Sequence, residues 1–209
     1  MLIQAGSGGV GSFAIQYCKH VLGMYVATTC STGSVDLVRS LGADQVIDYT
    51  REDFTDVVKD FDCVFDPLPY VNEERTMRSS VLKADGSHYI HIASSDPKLN
   101  PGDPGTDGLG AAIPEARLGN MVALAYKHVK SWFSHVKFHS VFVFADQATL
   151  RQVSEAVASG KVKPVIDGEF LLAELAAAHD YVGTGHCHGK VLVHNGDKHP
   201  SRERNSEQV

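Results

Sequence analysis

At 209 residues the chain can bury a sizeable core as one domain with room for an appendage. Hydrophobic content of 43%, charged content of 21% and a formal net charge of -6 are those of an ordinary globular protein. They exclude a bilayer span, for which no apolar run is long enough, and argue against nucleic acid, which a basic field would gather.

Short runs rich in β-formers alternate with helical periods, the pattern of a parallel sheet covered on both faces. Strands are expected at 1–5, 25–29, 45–48, 62–66 and 87–93, with helices at 9–22, 34–41, 52–59 and 72–82 between them. Gly42 reads as the residue that stops the second helix. Acidic residues lead the third, and Asn72 reads as the cap of the fourth. Pro67 and Pro69 end the fourth strand, since proline cannot donate to a ladder. Residues 95–114 are polar and carry several prolines and glycines, the composition of a long loop or lid. A helix at 118–132, a strand at 138–144 and a helix at 148–158 follow. Beyond Gly160 strands are expected at 162–166 and 190–194 around a helix at 173–181. The polar tail 196–209 reads as disordered.

Cys18, Cys30, Cys63 and Cys187 are scattered singly, which does not resemble a disulfide framework or a zinc ribbon and suits a reducing compartment. Cys18 and Cys63 fall in apolar patterns and read as small buried hydrophobes. His186 and His188 stand two apart with no further ligand nearby, so a metal is not expected.

Gly6-Ser7-Gly8-Gly9-Val10-Gly11 fits G-x-G-x-x-G between a strand and a helix, where its mechanism requires it. The first glycine permits the tight turn, the second lets backbone approach a pyrophosphate, and the third allows close helix–strand packing. The helix beyond it directs N–H groups and its positive dipole end at the anion. The fold class is therefore α/β, a doubly wound parallel sheet of the Rossmann type. It divides into a dinucleotide-binding domain at 1–160, C-terminal elements at 161–195 and the tail.

The choice between the two nicotinamide dinucleotides falls at the end of the second strand. NAD calls for a carboxylate about 20 residues beyond the glycines, and Ser31 stands there, in a run without an acid. Hydroxyls and free N–H groups accept a 2′-phosphate that a carboxylate would repel. NADPH is expected in preference to NADH, with Arg39 and Arg51 the closest cations in sequence.

Four runs resemble the zinc-independent medium-chain dehydrogenase/reductases of the quinone oxidoreductase group: 4–11, 41–49, 160–166 and 185–191. They lie in family order and spacing from residue 1 to about 194, and the run 30–49 most resembles the reticulon-4-interacting protein branch. The resemblance implies that Ser7, Gly9 and Val10 hold the pyrophosphate, that Ser31 and Tyr49 hold the 2′-phosphate end, and that Ile92 and Ala93 lie near the nicotinamide. Tyr49 also reads simply as a packed strand-end aromatic. The related branch tends to carry arginine where His188 stands, a departure that touches one cationic contact.

The resemblance further implies hydride transfer from NADPH to a quinone or an α,β-unsaturated carbonyl, in a cytoplasmic or mitochondrial setting. Such enzymes carry a β-rich substrate domain ahead of the glycine strand, and with Met1 already in the first strand neither that domain nor a signal is expected here. No catalytic residue is therefore named, and His88, Tyr89 and His91 read as core or surface residues. A dinucleotide-binding module without catalysis is the alternative. A methyltransferase, which shares the glycine turn, would carry an acid near Ser31. Strands 162–166 and 190–194 are expected to lack their family neighbours, leaving edges that must pair, fray or dimerise. The apolar strand 138–144 reads as a sheet edge that pairs two copies into a homodimer.

Overall fold

The computed structural model describes residues 1–68, 72–92, 135–141 and 146–196. Six strands form one parallel sheet: β1 (Leu2–Ile3), β2 (Ala27–Cys30), β3 (Gln45–Asp48), β4 (Cys63–Asp66), β5 (Ser87–His91) and β6 (Val136–Ser140), in the order β3-β2-β1-β4-β5-β6. The chain builds outward from β1 to β3, crosses back to β4, and builds the other way. The reversal between β1 and β4 opens a crevice at the carboxyl ends of the strands. α1 (Gly11–Gln16), α2 (Val35–Ser40), α3 (Phe54–Val57) and α4 (Glu73–Arg78) fill the crossovers. α1 continues through Tyr17–Val21 with π spacing, where Leu22 N–H donates to Tyr17 O at 3.1 Å.

Adjacent strand residues feed opposite cores. Leu2, Ala27, Ile47, Val64 and Tyr89 pack with Phe54, Val81 and Phe138 on one face. Ile3, Val26 and Cys30 pack with Ile15, Cys18, Val38 and Leu41 on the other. Cys18 and Cys63 are buried, as their apolar patterns predict, and Cys30 with them. Burial pushes the thiols of Cys30 and Cys63 up to about 11.

Two helices are shorter than periodicity suggests. Asp53 caps α3 by accepting from Thr55 N–H at 2.9 Å, so the helix starts at Phe54 rather than 52. α4 ends at Arg78 instead of 82 because the next main chain runs alongside 60–61. There Asp60 N–H donates to Ser80 O at 3.0 Å and Phe61 N–H to Val81 O at 2.8 Å. Asn72 occupies the cap position of α4 without making a cap bond; its side chain serves Asp66 instead.

β6 starts two residues before the expected strand and, among the described residues, ends the sheet at Ser140. The remainder of that expectation (142–144), the loop 95–114, the helix 118–132 and the tail from 197 lie outside the described residues. α5 (Gln147–Ala158) is capped by Asp146, which accepts from the N–H groups of Ala148 and Thr149. The expected strand at 162–166 is not one. Pro164 has no N–H to offer, and both main-chain groups of Lys163 bond the side chain of Gln16. The strand starts at its last residue: β7 (Ile166–Leu171), α6 (Leu175–Gly183) and β8 (Lys190–His194) form a separate parallel pair. Of the outcomes open to the C-terminal edges, pairing is the one found: β7 and β8 take each other as partner.

Candidate dinucleotide site

The glycine turn follows β1 directly. Gln4 N–H donates to Phe65 O and Gly6 N–H to Thr29 O, both at 2.9 Å, which ties the turn to β4 and β2. Ala5 takes the left-handed region at φ 52, and its carbonyl accepts from Gly8 N–H at 3.1 Å. The glycines differ in what demands them. A Cβ at Gly6 would fall 2.1 Å from Thr28 Oγ1, and one at Gly11 would fall 2.2 Å from Ala5 O. Both are packing requirements of the fold. A Cβ at Gly8 would meet no atom closer than Ala5 O at 3.5 Å, an ordinary contact. The protein leaves open the space that a side chain there would fill.

Gly9 is crowded from an unexpected direction. Its Cβ would lie 2.7 Å from Lys190 Nζ and 2.8 Å from Gly189 O. Gly189 N–H donates to Ser7 O at 2.9 Å, and Gly8 and Gly189 form a parallel bridge. The start of β8 therefore crosses the turn and hangs an ammonium over it. Among the described residues Lys190 has no carboxylate within 4.0 Å. A cation beside the start of the helical run Gly11–Val21, which is itself the positive end of a dipole, is disfavoured until an anion joins it. Sequence reading missed Lys190, because nothing local to β8 reports which loop it crosses.

At the carboxyl ends of the strands a cavity of about 460 Å³ is lined by Gln4, Tyr49, Arg51, Phe54, Leu68 and Arg75, among others. Tyr49 stands at its rim, 63% exposed, and its N–H donates to Cys30 O at 3.1 Å. Ser31 opens the next turn, with Oγ 3.3 Å from Ser34 Oγ, and is not in the lining. Val10, at 40% exposure, begins the helical run. The described part of the chain after β5 ends at Ile92, and Ala93 lies outside the described residues.

The run after β2 contains no acid, yet one reaches it from the neighbouring strand. Register pairs Cys30 with Asp48, and the Asp48 carboxylate accepts from Thr32 Oγ1 at 2.5 Å, Thr50 Oγ1 at 2.6 Å and Thr50 N–H at 3.0 Å. Arg51 Nε lies 3.4 Å away. These hydroxyl donors hold the Asp48 carboxyl below the usual range. Its oxygens are already engaged by the protein, and it stands inside the corner rather than facing out of it.

Arg75, not singled out in sequence, lies over the Phe54 ring at 4.8 Å and pairs with Asp53 at 2.6 Å. Thr55 N–H and hydroxyl, then Arg75, lower Asp53 to about 2. Deeper in, Asp66 is fully buried at the end of β4. It accepts from Tyr89 O–H at 2.7 Å and Leu68 N–H at 2.9 Å, yet burial still pushes its carboxyl up. Tyr89 and His91 are core residues, and His88 bonds His139 across the strands at 2.8 Å. Among the described residues no three His, Cys, Asp or Glu side chains converge as a metal site would require.

The model of one protein family, zinc-binding dehydrogenase, matches residues 41–193. Danio rerio NAD(P)H oxidoreductase RTN4IP1, mitochondrial, is 34% identical over 197 residues, covering 92% of this chain and 48% of that protein. Arabidopsis thaliana NADPH-dependent alkenal/one oxidoreductase, chloroplastic, is 33% identical over 197 residues, covering 93% and 40%. The quinone oxidoreductase structure from Coxiella burnetii superposes with a TM-score of 0.66 at 25% identity, over 91% of this chain and 51% of that one. The chain spans about half the length, or less, of the relatives it matches. Glycine turn, strand order and matched residues agree, and the chain belongs to the zinc-binding dehydrogenase family, within the quinone oxidoreductase group of the medium-chain dehydrogenase/reductases.

Proposed function

We propose that the chain is the dinucleotide-binding half of an NADPH-dependent oxidoreductase that delivers hydride to a quinone or an α,β-unsaturated carbonyl. The observation that carries the reading is the open space at Gly8, beside which the Lys190 ammonium, without a carboxylate partner among the described residues, stands over Gly9. In this reading the turn Gly6 to Gly11 wraps the pyrophosphate, with the N–H groups of the helical run on one side and Lys190 on the other. Ser31, Tyr49 and Arg51 hold the adenosine 2′-phosphate, and Ala93 stands by chain order near the nicotinamide. NADPH is preferred to NADH because the oxygens of Asp48 are turned to Thr32, Thr50 and Arg51. The bound dinucleotide supplies the hydride, while the chain binds it, orients it and keeps water from it. Relatives named NADPH-dependent alkenal/one oxidoreductase and 2-methylene-furan-3-one reductase support the substrate class.

The described residues offer no cluster of three His, Cys, Asp or Glu to the zinc of the family's name. Residues 1–160 form the binding unit and 161–195 an arm folded over its turn. The protein works inside the cell as a homodimer joined through the expected edge strand 138–144, of which β6 holds the described part; a strict monomer in sedimentation at tens of micromolar overturns that pairing.

Titration of NADPH fluorescence tests the core of the reading. Saturable binding is expected, with NADH weaker by about tenfold, or about 1.4 kcal/mol. No binding of either at several millimolar overturns it. Turnover with a panel of quinones and enones separates an enzyme from a module that binds NADPH and consumes none.

A further inference from the structure

A buried amide of α1 joins the glycine turn to the C-terminal arm. Gln16 is 5% exposed, and its amide is fully engaged. Nε2 donates to Ser12 O at 3.0 Å and to Lys163 O at 2.9 Å, and Oε1 accepts Lys163 N–H at 2.9 Å. Two residues on, Val165 O accepts Lys190 N–H at 2.8 Å. Gly189 has φ +90 and presses so closely on this segment that a Cβ would fall 2.3 Å from Val165 O. Gly189 N–H reaches Ser7 O, and Lys190 Nζ lies over Gly9. Helix, segment 163–165, residues 189–190 and glycine turn thus close into a ring of contacts, and Gln16 is its side-chain joint.

From this ring we infer that Gln16 is a positioning residue for anion binding: it touches no ligand, and it sets where the Lys190 ammonium stands over the turn. The inference rests on the NADPH reading above. A leucine at 16 keeps the volume but removes the partner of both main-chain groups of Lys163, which are part-buried and turn to water or to other protein groups instead. The segment thereby loses its tether to α1, and residues 189–190, bonded to Val165, shift with it. Glutamate at 16 keeps the acceptor for Lys163 N–H and loses the donor to Lys163 O.

The test compares two ligands on the full chain and on the variants Gln16→Leu, Gln16→Glu, Lys190→Met and the Gln16→Leu/Lys190→Met double. NADPH contains the pyrophosphate; adenosine 2′-monophosphate does not. Gln16→Leu raises the NADPH dissociation constant by about tenfold and shifts that of adenosine 2′-monophosphate by less than about twofold. Lys190→Met does the same, and the double variant binds NADPH no more weakly than Lys190→Met alone, because coupled residues are not additive. A general loosening of the fold would weaken both ligands together, and independent roles would add; either result overturns the inference. Should Gln16→Leu fail to fold, Gln16→Glu carries the same comparison. If the unaltered chain binds no NADPH, the functional reading falls and this one with it. If it binds and the Gln16 variants stay within twofold, this inference alone falls.

Discussion

Alanine at each of two glycines separates what the turn needs for folding from what it needs for binding. Neither Gly8 nor Gly11 has a positive φ, so alanine meets no backbone penalty at either. At Gly11 the new Cβ lands 2.2 Å from Ala5 O and 2.7 Å from Gly6 Cα, both main-chain atoms of the turn itself. Even a tight contact of 3.0–3.4 Å demands that the turn and helix part by about 1 Å. Overpacking of this kind costs about 1–3 kcal/mol, and the rigid neighbours put it at the upper end. For a chain of this size about 3 kcal/mol lowers Tm by roughly 6–12 °C. Gly8→Ala meets only a 3.5 Å contact, and by restricting the unfolded chain it contributes about 0.4–1 kcal/mol of stability. On the proposed reading its Cβ stands where the pyrophosphate is to lie, so NADPH affinity is expected to fall by about tenfold or more. Thermal melts and NADPH titrations of both variants provide the comparison. The reasoning fails if Gly8→Ala melts with Gly11→Ala, or if it binds NADPH as the unaltered chain does.

Asp66→Asn removes a carboxyl that burial has pushed up. The cost of burying its charge is present above the folded-state value and relieved as pH falls toward the unfolded one. The variant's stability relative to the parent is therefore greatest at neutral pH and shrinks on acidification; a urea-midpoint difference that is flat from pH 8 to 4 contradicts this. Asp53, lowered to about 2, behaves oppositely: its contribution is full above the unfolded value near 4 and is lost as pH falls through about 2. Asparagine at 53 can still cap α3, so Asp53→Asn loses stability at pH 7 and approaches the parent near pH 2, read from denaturant midpoints. Among the cysteines, Cys18, Cys30 and Cys63 are buried and Cys187 is part-exposed. Iodoacetamide at pH 8 labels Cys187 first, and mass spectrometry showing Cys30 or Cys63 modified as fast refutes the burial.

What could be read along the chain depended on how local its cause was. Gln45–Asp48 and Lys190–His194 form strands at their expected bounds, and the glycine spacing places the turn, because each rests on neighbouring residues. Failures arise where a distant partner decides. The strand expected at 162–166 gives way to a side-chain amide from α1, and the helix from 72 stops where Asp60 and Phe61 claim the main chain of Ser80 and Val81. The acid near Ser31 was invisible for the same reason: it arrives through the register of β3 against β2, not through the run after β2. Lys190 is part of a recognisable Gly-Lys pair, but only the crossing of β8 over the turn puts it beside Gly9.

The bridge between Gly8 and Gly189 also orders events in time. A site closed by residues from opposite ends of the chain has high contact order, and its loop-closure entropy is met late. The sheet from β1 to β4 can assemble while the chain is still emerging from the ribosome, since domains form from the N-terminal side first. The turn at Gly6 to Gly11 then exists for a time without Lys190 above it. On the proposed reading, anion affinity arrives with β8, and a nascent chain carries a folded glycine turn well before it can hold a dinucleotide tightly.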